Sequence, residues 1–259
     1  VAVVTRASSG IGRAIARRFA QEGARVFIAD INERGGEETV SLIRERGGVA
    51  SFIRCDVADA DQVRAALMHA AREGGKVTTL VNNAGIGSVG KPVADIEPDE
   101  FQPTVEVNLM GAFYGCKYAV PHLRAAGGGS IINIASIFGI VAAPNTAPYA
   151  ASKAGLIMLT KQMAVDYSRE NIRVNCICPG YVDTDLGGRR ARMEPADAAR
   201  ALEAREAKAA IQPLPRQAQP EEMAGTAVYL ASDDASFVVG AVAVVDGGAS
   251  VLHNIGPFF

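Results

Sequence analysis

Tyr149 and Lys153, in the run Tyr149-Ala150-Ala151-Ser152-Lys153, have types and spacing that could move a proton. On a helix, an i, i+4 spacing sets two side chains on one face. A phenol ionises near pH ~10, so in its protonated form it is too weak a base to take an alcohol proton at neutral pH; a neighbouring ammonium stabilises the phenolate and lowers that pKa. Ser136 stands 13 residues before Tyr149, just after the apolar run Ile131–Ala135. A hydroxyl there could hold a substrate oxygen while Tyr149 moves the proton, the division of labour that general acid–base catalysis requires. Each residue alone also has a plainer reading: a solvated helix pair for Tyr149 and Lys153, a turn serine for Ser136.

A second group of residues suits a phosphate. The first apolar run leads into Thr5-Arg6-Ala7-Ser8-Ser9-Gly10-Ile11-Gly12 and then directly into an amphipathic helical pattern. Glycines in such a turn let the backbone approach a pyrophosphate, whose charge is favoured by the exposed N–H groups and positive dipole end of the helix. Asp30 lies 18 residues beyond Gly12, at the end of the second apolar run. A carboxylate placed there accepts hydrogen bonds from a ribose 2′-hydroxyl and repels a 2′-phosphate, which favours NAD over NADP. A strand-end cap is the structural alternative for Asp30.

These residues need a scaffold, and the chain supplies short β-branched runs alternating with longer helical patterns. That alternation is the signature of βαβ units in a parallel sheet covered on both faces. Strands are expected at Val1–Thr5, Arg25–Asp30, Ala50–Cys55, Thr79–Asn82, Ser130–Ala135, Ile172–Ile177 and Ala241–Val245. Helices are expected at Ile11–Glu22, ended by Gly23, and at Gly36–Arg46, Asp61–Glu73, Pro98–Arg124, Tyr149–Ser168 and Glu221–Ala231. The fold class is thus α/β: a Rossmann-like, doubly wound, seven-stranded parallel sheet. No repeat or Pro/Gly/Ser-rich linker divides residues 1–259, which predicts a single domain. Residues 185–219 stand apart, with Gly187-Gly188, an Ala/Glu/Arg-rich helical stretch and Pro213/Pro215, and are expected to form a mobile lid.

Composition removes other classes of function. The 259 residues are 49% hydrophobic, enough to build a full core, and 26 Lys+Arg against 28 Asp+Glu leave a net charge of −2. This balance offers no electrostatic footprint for nucleic acid or anionic membranes. No apolar run reaches the roughly 18–20 residues of a bilayer span. Cys55, Cys116, Cys176 and Cys178 form no disulfide framework, and a cytoplasmic setting is expected. Cys176 and Cys178 project to one face of a strand, but His69, His122 and His253 are scattered, so no metal site is expected. The chain opens at Val1 inside an apolar run, and a few residues are expected to precede it.

Taken together, the Thr5–Gly12 turn, Asp56-Val57, Asn82-Asn83-Ala84-Gly85, Asn108, Ser136, Tyr149-x-x-x-Lys153 and Asn175 through Pro179-Gly180 with Thr184 resemble the short-chain dehydrogenase/reductase family, in its compact single-domain branch. The resemblance spans nearly the whole chain. It implies that Tyr149 is the catalytic acid/base, that Ser136 orients the substrate oxygen, and that Lys153 lowers the Tyr149 pKa and binds the nicotinamide ribose. Asn108 would anchor a water that relays protons to Lys153. The cofactor would lie on Arg6, Ser8, Ser9, Gly10, Ile11 and Gly12, with Asp30 and Ile31 at the ribose and Asp56 and Val57 flanking the adenine. Asn82 would support the central strand, Asn83, Ala84 and Gly85 the nucleotide, and Pro179, Gly180, Val182 and Thr184 would cover the nicotinamide. The implied reaction passes a hydride between a carbinol carbon and the nicotinamide, with no metal.

One position departs from the family pattern, which has glycine where this chain has Arg6. If that position needs φ > 0, a side chain costs roughly 1–2 kcal/mol. The expectation is that the turn adjusts and Arg6 points to solvent; the alternative is a guanidinium contact to a nucleotide phosphate. Expected substrate walls are Phe138, Pro144, Asn145, Tyr181, Leu186 and Met193, suited to a secondary alcohol or ketone of modest polarity. Arg189, Arg190 and Arg192 are candidate readers of an acidic group or a solvated face. The resemblance points to a homotetramer, with apolar helix faces and the tail Val251–Phe259 at subunit contacts. Competing readings are an NADPH-dependent ketoreductase of the 3-oxoacyl type, a catalytically silent nucleotide-binding module, and, last, a sugar-nucleotide epimerase or dehydratase.

Overall fold

The β-branched runs pair into one seven-stranded sheet: β1 (Ala2–Thr5), β2 (Arg25–Asp30), β3 (Val49–Arg54), β4 (Thr79–Asn82), β5 (Gly129–Ile134), β6 (Ile172–Pro179) and β7 (Val242–Val245). The computed structural model describes residues 1–186 and 193–251. Every ladder is parallel, in the order β3-β2-β1-β4-β5-β6-β7. The strands fall within two residues of expectation. The largest shift is at β6, which runs on through Pro179 because β7 pairs with it from Cys176 to Pro179.

Alternation within each strand divides the core into two layers. Val4, Ile28 and Ile132 face helices α1 (Gly10–Gln21), α2 (Glu33–Arg44) and α8 (Pro220–Ala231), whose Ile15, Phe19, Val40, Ala227 and Leu230 complete that layer. Val3, Phe27 and Ile131 face α3 (Ala60–Gly74), α5 (Gly111–Ala126) and α6 (Ala147–Tyr167), with Leu67, Leu123 and Met163 buried between them. The remaining helices are α4 (Pro98–Val105) and α7 (Pro195–Ala209). The α/β doubly wound reading therefore describes the molecule.

Three helix boundaries correct the sequence expectations. Helix α2 begins at Glu33 because Asn32 caps it, its Oδ1 accepting from Gly35 N–H at 3.2 Å. Helix α6 begins at Ala147 because Pro148 suits the first turn of a helix. The single helix expected over Pro98–Arg124 is instead α4, a π turn at Glu106–Met110, and α5. Such turns insert a residue and re-aim side chains, commonly at functional sites. Here the turn carries the fully buried Asn108 toward the strand ends.

Gly187, Gly188, Arg189, Arg190 and Arg192 of the expected lid, and residues 252–259 of the tail, lie outside the described residues. The Ala/Glu/Arg-rich stretch of the lid is helix α7.

Candidate active site

The strand order reverses between β1 and β4, so connections leave the sheet in opposite directions there and open a crevice at the carboxyl ends of the strands. Three compartments lie along that edge. The largest, about 230 Å³, is lined by Asp30, Ile31, Asp56, Val57, Ala84 and Gly85, with Arg6 at its boundary. A small one of about 50 Å³ sits against Ser9, Gly10, Ile11 and Asn83 at the start of α1. The third, about 110 Å³, gathers Ser136, Tyr149, Lys153, Pro179, Gly180, Val182, Thr184, Leu186 and Arg205.

The residues around the first two compartments are held from opposite sides of the crevice. The Asp30 carboxylate, 3% exposed, accepts Ser8 N–H and Asn32 N–H, each at 2.9 Å, so it fixes the turn while lining the compartment. Thr5 Oγ1 accepts from Asn83 N–H at 2.9 Å and Ala84 N–H at 3.0 Å, and Asn83 Nδ2 donates back to the carbonyls of Thr5 and Arg6. A Cβ on Gly12 would overlap Asn83 Nδ2 and the Arg6 carbonyl, so only glycine lets α1 start this close to the β4 loop. Ser9 caps α1 without a side-chain bond, leaving the first-turn N–H groups directed at the compartment, as an anion requires.

Arg6 corrects an expectation. Its φ is +49°, so the left-handed conformation is kept despite the side chain, and the side chain does not point to solvent. The guanidinium donates to the Gly85 carbonyl across the crevice. Burial pulls its pKa down, while the charges of Asp30 and Asp185 oppose that shift. These two carboxylates draw the cation inward, which no local pattern around Arg6 reveals.

In the third compartment, Ser136 follows β5 in extended backbone and its Oγ accepts from Phe138 N–H at 3.1 Å. Tyr149 stands in the first turn of α6, and it lines the same compartment as Ser136. Lys153, one turn further and 3% exposed, donates from Nζ to the Ile134 carbonyl at 2.7 Å and lies 5.8 Å from the Tyr149 ring centroid. Burial brings the Lys153 pKa down to about 8. Burial also pushes the Tyr149 phenol up, against the Ser136 hydroxyl and the Arg205 charge, which pull it down. The Lys153 ammonium stands over the ring side of Tyr149, with its hydrogen bond made to the Ile134 carbonyl.

Asn108 is fastened on three sides: its Oδ1 accepts Ile86 N–H at 2.7 Å, and its Nδ2 donates to the Ile86 carbonyl at 3.0 Å and to Ser152 Oγ at 3.1 Å. Its side chain thereby ties the π turn to the β4 loop and α6. Asn82 reaches Asn133 Oδ1 at 2.9 Å beneath the sheet ends, and Asn175 joins β6 to the approach of β7 through Val238 O and Ala241 N–H. Phe138 packs edge-on to both Tyr149 and Tyr181. Asn145 lies on the exposed loop before α6 with φ +62°, its carbonyl accepting from Ser88. Met193 leads into α7.

Sequence reasoning missed Arg205. From α7 it donates to the carbonyls of Val182 and Thr184, each at 2.6 Å, and lines the compartment of Tyr149. Its helical spacing resembles that of the exposed Arg200, so no sequence signal separates them. Among the described residues, no cluster of His, Cys, Asp or Glu could hold a metal ion, and no helix is long and apolar enough to cross a membrane.

Fold and crevice together define a doubly wound α/β protein whose strand-end crevice runs from Asp30 to a compartment lined by Ser136, Tyr149 and Lys153. A family model described as enoyl-(acyl carrier protein) reductase matches residues 6–250. The cis-4-hydroxycyclohexanecarboxylate dehydrogenase of Sinomonas cyclohexanicum is 44% identical over 96% of this chain and 95% of that protein. The L-fucose dehydrogenase of Oryctolagus cuniculus is 42% identical over 100% of this chain and 88% of its own length. The crystal structure of levodione reductase superposes with a TM-score of 0.91 at 33% identity, covering 97% of this chain and 98% of that one. The chain belongs to the short-chain dehydrogenase/reductase family, whose dehydrogenases use NAD(P). It is an oxidoreductase acting on CH–OH groups.

Proposed function

We propose that this protein oxidises a secondary alcohol, or reduces the corresponding ketone, with NAD(H) as its preferred cofactor. The observation that carries this reading is the third compartment, where the Ser136 hydroxyl, the Tyr149 phenol and Lys153 converge beside the phosphate turn. The groove fits a dinucleotide: Gly12 clears the approach to α1, and the compartment of about 230 Å³ beyond Asp30 suits an adenosine. Asp30 and Ile31 would meet the ribose, Asp56 and Val57 the adenine, Ser8 through Gly12 the pyrophosphate, and Pro179 through Thr184 the nicotinamide. When bound, the cofactor accepts or supplies the hydride.

The residues of the chain handle the proton. Ser136 holds the substrate oxygen by donating to it, and Tyr149 takes the alcohol proton on its phenolate oxygen or returns it to the ketone. Lys153 supplies the cation that favours the phenolate once it turns from Ile134 O toward the nicotinamide ribose. Asn108, held by Ile86 and Ser152, keeps the π turn placed for a water beside Lys153. Phe138, Tyr181 and Leu186 wall the substrate side, with Asn145 and Met193 at its rim. A ring-borne secondary alcohol suits these apolar walls, and the relative named for a hydroxycyclohexanecarboxylate supports that class.

Residues 1–259 act as one domain with 185–219 as the lid. The exposed Phe113, Met158 and Val165 on α5 and α6, and Val244 on β7, support a homotetramer. The four free cysteines support a cytoplasmic setting.

Titration with NADH and, separately, NADPH tests the reading. Nicotinamide emission can be followed directly, since the chain has no tryptophan. NADH is expected to bind at least about tenfold more tightly, given the Asp30 carboxylate facing a 2′-phosphate. NAD-dependent turnover of cyclic secondary alcohols should follow. Absence of binding to either dinucleotide would refute it.

A further inference from the structure

Arg6 stands between two compartments of the groove. Its side chain borders both the adenosine-sized compartment and the small one at the start of α1, and its bond to the Gly85 carbonyl joins the ends of β1 and β4. A ligand filling both compartments has to cross the line of that bond. The guanidinium holds a neutral carbonyl there while Asp30 and Asp185 keep a positive charge in place. A pyrophosphate brings anionic oxygens to the same point, and a guanidinium binds phosphate oxygens more strongly than a carbonyl, with its planar fork matched to two of them.

We propose, on the reading that the groove holds a dinucleotide, that Arg6 exchanges partners: the Gly85 carbonyl in the unliganded protein, the cofactor pyrophosphate in the complex. It is then both a gate to the groove and a clamp on the cofactor, in a position where a glycine could be neither. The side chain crosses the crevice to Gly85 from a left-handed turn, with φ of +49°.

Stopped-flow measurement of NADH binding to the wild type, Arg6→Gly and Arg6→Met separates the two functions. Both variants lack the bond to Gly85, so association should be about threefold faster, as expected when a minor open state becomes the main one. Both also lack the clamp, so dissociation should be about tenfold faster, the loss of one charge-assisted contact. Adenosine has no pyrophosphate, and its affinity by calorimetry should stay within about twofold. Unchanged rates in both variants would overturn the proposal. A change in Arg6→Gly alone would trace the effect to backbone freedom and overturn it equally. Adenosine weakened as much as NADH would make Arg6 only a wall, again against the proposal. A wild type and variants that all fail to bind NADH while binding adenosine would instead refute the dinucleotide reading.

Discussion

Replacing Lys153 by methionine should make the stability of this protein respond differently to pH. The ammonium is 3% exposed and its folded pKa is about 8, against 10.5 for an unburied lysine. A base whose pKa is depressed by folding weakens the fold wherever the unfolded chain is protonated and the folded chain resists it. At ~1.4 kcal/mol per pKa unit, the gap corresponds to ~3 kcal/mol at neutral pH, falling below ~1 kcal/mol by pH ~10. Stability therefore rises with pH through the window from about 8 to 10.5 as this penalty disappears. Methionine removes the penalty at every pH; leaving the Ile134 carbonyl without its donor costs ~1–3 kcal/mol independently of pH. Urea denaturation of both proteins between pH 7 and 10 measures the effect. The alkaline titration of Cys55 and Cys116, both pushed up to about 12, is common to the two, and a Cys178→Ala background removes the thiol whose pKa the Lys153 charge helps hold down. The stability of the Lys153→Met variant minus that of the wild type should fall by ~2 kcal/mol from pH 7 to pH 10. A difference constant to within ~0.5 kcal/mol would show that the ammonium is solvated and the reasoning wrong.

Two further outcomes are expected. Tyr149→Phe should lower kcat by about 10²–10⁴-fold, the range for a lost general acid–base group, with the NADH dissociation constant unchanged and the ring contact to Phe138 kept; steady-state rates beside a binding titration check this, and retained turnover would remove Tyr149 from its proposed role. Asn108→Ala strips Ile86 of both its side-chain partners and should cost ~1–3 kcal/mol in urea denaturation, because two half-buried backbone groups lose their partners; a cost below ~0.5 kcal/mol would show that water replaces Asn108 there.

The Lys153 and Arg6 results bear on one physical point. Both cations are held close to the groove at a desolvation cost, and both have neutral carbonyls as acceptors, Ile134 O and Gly85 O. For Arg6, the Gly85 carbonyl is a weaker partner than the anionic pyrophosphate oxygens of the proposed complex. On the proposed exchange, binding energy at Arg6 would offset part of the cost of burying its charge.

Much of the architecture was written in local patterns. Short β-branched runs placed all seven strands, because a strand covered on both faces of a parallel sheet reads as a continuous apolar stretch within a few residues. The strand–turn–helix setting of Thr5–Gly12 and the one-turn spacing of Tyr149 and Lys153 were legible in local sequence, while the roles expected of them came from the family resemblance. Even α6's true start was signalled by Pro148, though the expectation began later. What local pattern could not decide was anything fixed by groups distant in sequence. Arg6 is turned inward by Asp30, Gly85 and Asp185; the π turn around Asn108 is secured by Ile86 and Ser152; Arg205 reaches the site only because α7 folds back over Val182 and Thr184. The protonation of Tyr149 and Lys153 is of the same kind. Residue type and spacing set a phenol and an ammonium on one helix face, but desolvation depends on everything packed around a group, and that is settled only when the chain has folded.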